Sequence, residues 1–269
     1  MNASALPDNL PAPSAAEQAR SDELIALIQR DMDAHGGRLG FADYMDRALY
    51  APGLGYYATS EVFGTAGDFV TAPELSPLFS RCVARQTAQV LDQCEAGGIL
   101  EFGAGTGAMA VGVLRELEAM DRLPARYCIL DVSGGLRERQ RVTLERELPH
   151  LMDRVSWLDT LPDRFEGVIL ANEVLDAMPM QRFRLDERGD HELYVVWRDG
   201  GFAWEAGEPD SPELAERLTL IRALLGELEG PYEAEVNLRG EAWVRSLGNV
   251  LSRGAGLFID YGFPRGEFY

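Results

Sequence analysis

Between Ile99 and Gly107 the chain reads Ile-Leu-Glu-Phe-Gly-Ala-Gly-Thr-Gly, an apolar run carrying an acid, Glu101, just ahead of glycines at 103, 105 and 107. A first β-strand that turns into a helix around a nucleoside-bearing cofactor has this pattern. Glycine at 103 and 105 removes Cβ atoms that would block the ligand and permits positive φ in the turn. The helix after Gly107 then aims its unpaired N–H groups at the ligand. A dinucleotide fold asks for Gly-x-Gly-x-x-Gly, with a pyrophosphate on the helix N-terminus. Here the spacing is Gly-x-Gly-x-Gly behind Glu101. A carboxylate at that place repels a pyrophosphate and suits a cationic ligand. S-adenosyl-L-methionine (SAM), with a sulfonium and an ammonium, fits this chemistry better than NAD. A glycine-rich turn with no ligand is the plain alternative.

Two further clusters carry chemistry. Arg126 to Ser133 reads as a short buried strand ending in Asp131. An acid at the end of a second parallel strand takes ribose hydroxyls. A helix-capping role competes with this, because Ser133 starts a helical run over residues 135–148. Phe165 to Ala171 is a fourth buried strand that delivers Asn172-Glu173-Val-Leu-Asp176-Ala-Met-Pro179 at its carboxyl end. Glu173 and Asp176 are the candidate catalytic acids, next to the first strand in the usual order and facing the sulfonium. Asn172 lies near the cofactor. Capping or loop fixing is the competing role for the two acids. Asp260 ends a fifth strand, where an acid can reach the same pocket.

The elements that must position these residues form an alternating pattern. Residues 1–20 read as a disordered tail rich in Ala, Pro and Ser. Residues 21–95 form an N-terminal helical cap, with helices from Ser21, over Phe41–Leu49, and from the Ser76-Pro77 start signal. Residues 96–269 form the α/β core, with a first strand from Ile99 into the glycine turn and others near 126–132, 155–158, 165–171 and 256–260, separated by helices. An α+β insertion at about 180–253 interrupts it, with hairpin turns at Arg188-Gly189 and Asp199-Gly200. The fifth strand would be an open apolar edge, which is an aggregation liability. Closing strands are therefore expected beyond this sequence.

Composition narrows the partners. The chain has 269 residues, 46% hydrophobic, and a net charge of -19. Such acidity argues against nucleic acid or an anionic membrane as partner, since phosphate binding needs basic patches. Cys82, Cys94 and Cys128 form no Cys-x-x-Cys pair and read as reduced core thiols, with no metal site. No stretch approaches the ~18 apolar residues of a membrane span. The amino terminus lacks a secretory pattern, so the expected location is cytoplasmic.

Four stretches together resemble the MidA family of SAM-dependent methyltransferases, which includes a mitochondrial complex I assembly factor that methylates an arginine. They are Gly67-Asp-Phe-Val-Thr-Ala-Pro-Glu74, Glu101–Gly107, Asp131-Val-Ser133 and Asn172–Pro179. The resemblance covers residues 40 to 262. It implies a class I, Rossmann-like methyltransferase fold, SAM as cofactor, and a protein substrate such as a respiratory complex I subunit. It places Asp68, Glu101, Gly103, Gly105, Gly107, Asp131 and Asn172 around the cofactor, with Asp68 able to bind its ammonium and a turn role for the Gly67-Asp68 pair as the competing reading. Tyr56 and Tyr57 are candidates for the substrate mouth, with core packing as the competing role. An arginine acceptor stays protonated, with a pKa above about 12. Carboxylates must then clamp the fork, orient one nitrogen and take the proton. Each charge-assisted bond of this kind is worth ~1.5–3 kcal/mol. A non-catalytic assembly factor that keeps a relic pocket is the alternative.

Overall fold

The computed structural model describes residues 12–58 and 71–264. The elements run α1 (Ala15–Ala34), β1 (Arg38–Gly40), α2 (Phe41–Tyr50), α3 (Ala72–Leu75), α4 (Pro77–Leu91), β2 (Gly98–Phe102), α5 (Ala108–Ala119), β3 (Tyr127–Leu130), α6 (Gly134–Glu147), β4 (Val155–Leu158) and β5 (Phe165–Asn172). They continue as β6 (Gln181–Asp186), β7 (Gly189–Arg198), β8 (Gly201–Gly207), α7 (Pro212–Leu225), β9 (Tyr232–Val236), α8 (Leu238–Val250) and β10 (Leu251–Ile259).

Two sheets organise the molecule. The first is parallel, in the order β10-β5-β2-β3-β4. Its central strands are apolar on both faces because helices cover both: β2 is buried at every residue. On one face α4 and α5 pack Val83, Ala84, Val113, Leu114 and Leu117 against Ile99, Ile129 and Val168. On the other, Trp243 and Leu247 of α8 pack on Phe102, Phe165 and Ile169. The strand order reverses between β2 and β5. Ligands of open α/β sheets bind at that switch point, beyond the carboxyl ends of the strands.

The second sheet is antiparallel and is built mostly by the insertion, in the order β1-β7-β6-β9 with β8 on β7. Helix α7 buries Leu214, Leu218 and Ile221 against Phe183 and Leu185. Helix α2 lies across this sheet, with Phe41 edge-on to Trp204 at 5.1 Å and Tyr44 edge-on to Phe202 at 5.1 Å.

Three local readings are corrected. Helix α1 begins at Ala15, inside the stretch expected to be a tail. Ser14 and Glu17 form a reciprocal capping box there, with Ser14 N–H donating to the Glu17 carboxylate at 2.6 Å. The N-terminal cap is not purely helical: β1 pairs with β7, Leu39 opposite Val195. A three-residue strand has too little pattern to be read locally and forms because a partner edge is present. Cys128 is buried, but Cys82 is exposed and Cys94 is half-buried. Positions 80, 83, 84, 87 and 88 of α4 face the core, and 82 lies off that stripe. Among the described residues no helix is long and apolar enough to cross a membrane.

Candidate active site

The carboxyl ends of β2, β3 and β5 open into a cavity of about 670 Å³, covered by α2, α3 and the short turn at Tyr56–Ala58. The glycine turn forms its floor. Gly103, Gly105 and Gly107 all have positive φ, at 59°, 54° and 85°. A Cβ on Gly105 would meet no protein atom within 4 Å, so a side chain there would occupy cavity space. Gly107 is not on the cavity wall. It is the N-cap residue of α5, and its Cβ direction points at the Gln140 backbone at 3.4 Å.

Two acids flank this turn in different states. Glu101 is fully buried; the Tyr127 hydroxyl donates to Oε2 at 2.6 Å, while Oε1 has no partner. Burial pushes its pKa up to about 7, against the lowering effect of the Tyr127 hydrogen bond. Asp131 accepts from Ser133 N–H at 2.9 Å and from the Gln140 amide at 2.8 Å. Burial raises its pKa, and these two bonds oppose the rise. The cap of α6 is made by Ser133, whose hydroxyl accepts from Leu136 N–H at 3.3 Å. Asp131 supports that start by holding the Ser133 N–H, and it also lines the cavity.

Gln140 was not singled out in the sequence. Its amide nitrogen donates to Gly105 O at 3.2 Å and to Asp131, while its oxygen accepts from Trp157 Nε1–H at 3.0 Å. One buried side chain thus ties the glycine turn, the β3 acid and the end of β4 together. The available signal was a polar residue within an apolar stripe, since Leu136, Gln140 and Leu144 form the buried face of α6.

The segment after β5 is held from three sides. Glu173 takes φ 52°, a left-handed conformation that costs a non-glycine residue about 1–3 kcal/mol. Its N–H donates to Ile259 O at 2.8 Å. Asp260 accepts from the N–H groups of Leu175 at 2.8 Å and Asp176 at 3.2 Å. The Asn237 amide donates to Leu175 O at 3.3 Å, and the Tyr50 hydroxyl donates to Ala177 O at 2.7 Å. Asp260 is thus the clamp that shapes the loop. Partial desolvation, then the charge of Asp176, raises the pKa of Glu173, while the Asn172 side chain opposes the rise. Asp176 is raised by desolvation and by Asp260.

Glu101, Gly103, Gly105, Asp131, Asn172, Glu173 and Asp176 therefore all line one cavity, together with Tyr57. Asp68 lies outside the described residues. Among the described residues the wall carries seven acidic side chains (Asp46, Glu74, Glu101, Asp131, Asp159, Glu173 and Asp176) and no lysine, arginine or histidine. Among the described residues no cluster of His, Cys, Asp or Glu could hold a metal ion.

This arrangement defines a class: a doubly wound α/β protein with a nucleoside-cofactor site at its switch point. Residues 82–268 match the family described as "Putative S-adenosyl-L-methionine-dependent methyltransferase". The chain is 26% identical to the mitochondrial protein arginine methyltransferase NDUFAF7 of Danio rerio, covering 84% of this chain and 59% of that protein. It is 28% identical to the Mus musculus counterpart, over 66% of this chain and 47% of that one. A COG1565 superfamily member from Burkholderia thailandensis, solved with S-adenosyl-homocysteine bound, superposes with a TM-score of 0.89 at 44% identity. That match covers 97% of this chain and 68% of the other. The chain belongs to this family of SAM-dependent methyltransferases and spans about half the length of the curated relatives it matches.

The residues present fit SAM. The space beside Gly105 is what a Cβ would fill, Asp131 lines the cavity at the end of β3, and one Glu101 oxygen has no partner. Val132, 80% exposed, adds an apolar side chain to the wall beside Asp131.

Proposed function

We propose that this protein methylates an arginine side chain of a partner protein, with a respiratory complex I subunit as the partner that the sequence resemblance implies. The observation that carries this reading is the acidity of the cavity: among the described residues seven acids line it and no basic side chain does, and of the seven only Asp46 and Asp159 are ion-paired with arginines. Such a wall attracts a cationic cofactor and a cationic acceptor alike and disfavours phosphorylated or carboxylated substrates. The names of the animal relatives, protein arginine methyltransferases, support the same acceptor.

When bound, SAM supplies an electrophilic methyl group on its sulfonium. The protein's part is positioning and charge. Glu173 and Asp176 clamp the guanidinium and turn one nitrogen toward the methyl carbon. Glu173 would take the proton that the acceptor nitrogen gives up on receiving the methyl group. Its raised pKa favours that proton transfer. Asp260 and Asn237 hold the loop in its left-handed turn so that both acids face inward.

The test is methyl transfer from isotopically labelled SAM to arginine-containing peptides and to subunits of respiratory complex I, with lysine-substituted peptides as controls. Glu173→Gln should lower the rate about 10²–10⁴-fold while leaving cofactor binding intact. Cofactor binding with no transfer to any arginine substrate would favour the non-catalytic assembly role.

A further inference from the structure

Two carboxylate oxygens among the described residues are buried without a partner, Glu74 Oε2 and Glu101 Oε1, and both residues line the same cavity. A buried acceptor left unpaired is costly, more so when charged. Among the described residues no lysine, arginine or histidine lines the cavity, so none of them supplies a cation to either oxygen. Glu74 is also held in place. Its Oε1 accepts from the Thr106 hydroxyl at 2.8 Å, and Thr106 sits between Gly105 and Gly107 in the glycine turn. That bond fastens α3 to the cavity floor and leaves the second oxygen free for a ligand. By contrast, both Asp131 oxygens already have donors on the ribose side of the turn.

We propose that Glu74, with Glu101 beside the same turn, binds the α-ammonium group of the cofactor's methionine portion, so that Glu74 selects ligands carrying that group. This rests on the reading of the cavity as the SAM site. An ammonium has three N–H donors and no acceptor, and two half-satisfied carboxylates supply what it needs. The nucleoside lies toward Asp131 and Val132, the amino-acid end toward Glu74, and the acceptor side is left to Glu173 and Asp176. Asp68, which the sequence resemblance made a candidate for the same ammonium, lies outside the described residues.

Calorimetry on the purified protein tests this with two probes: S-adenosyl-homocysteine and its deamino analogue, which keeps the nucleoside and carboxylate but lacks the ammonium. The wild type should prefer the amino form by about 10-fold or more, the size of a charge-assisted bond. Glu74→Gln can still accept from Thr106, and it should bind the deamino analogue as the wild type does while losing most of that preference. A preference retained in Glu74→Gln overturns the proposal. Equal weakening of both probes also overturns it and makes Glu74 a packing residue. If the folded wild type binds neither probe, the cofactor reading itself fails and this inference goes with it.

Discussion

Glu101 is a carboxyl group without water around it. Its folded pKa of about 7 lies above the ordinary 4.5, so between those values the folded protein holds a proton that the unfolded chain has released. Stability contributed at this residue is therefore greatest at low pH and falls as pH rises through that window, by about 3 kcal/mol in all. Glu101→Gln should lack this fall. Denaturant unfolding at about pH 5 and about pH 8 should show the variant gaining on the wild type as pH rises. A cationic cofactor bound beside Glu101 should draw off its proton, so calorimetric enthalpies near pH 6.5 should depend on the buffer's ionisation heat, reporting about one proton or less released. Gln140 makes a second residue-scale prediction. Gln140→Leu strands Asp131, Gly105 O and Trp157 Nε1, each unpaired buried group costing about 1–3 kcal/mol. The expected results are a lower melting temperature and a cofactor affinity weakened about 10-fold or more, read by thermal unfolding and calorimetry. The glycine turn and Asp131 were legible because their spacing is local. Gln140 acts across three segments and shows in the sequence only as a polar residue in an apolar stripe.

At the scale of elements, three glycines sit side by side across the parallel sheet, with Gly98 opposite Gly167 and Gly254 opposite Gly167. A Cβ on Gly167, at φ 133°, would lie 1.9 Å from Gly98 O. Gly167→Ala must therefore push β2 and β5 apart. We expect little folded protein, seen as loss of soluble yield and of a cooperative thermal transition. The loop after β5 behaves differently. Asp260→Ala should leave the sheet intact but release the Leu175 and Asp176 N–H groups, freeing Glu173 from its left-handed turn. Methyl transfer should then fall with little change in cofactor affinity, and kinetics beside calorimetry separate the two. Long helices and buried strands were readable from their periodicity. The strands β1 and β9 were not, since three or five residues carry little pattern and each forms against an edge supplied by distant chain.

At the scale of the molecule, the N-terminal segment and the insertion make one layer. Leu39 is 4% exposed and packs with Ile28, Met32 and Val195. Leu39→Ala should cost about 2–5 kcal/mol. Limited proteolysis should cut within α1 earlier than in the wild type, because its main contacts run through this cluster. That layer also roofs the cavity: Asp46 and Tyr50 of α2 reach its wall, and Arg239 of α8 pairs with Asp43 and Asp46.

The sequence by itself determined the Glu-x-Gly-x-Gly-x-Gly turn, the acids at the ends of β3 and β5, and the alternation of strand and helix. All of these are near-neighbour patterns set by backbone freedom and burial. Only the tertiary structure decided that β1 joins the insertion's sheet, that Asp260 clamps the loop bearing Glu173, that Gln140 links three strand ends, and that Glu74 reaches the glycine turn. These are contacts between residues far apart in the chain, where the partner's position exists only once the sheet has formed and its helices have packed.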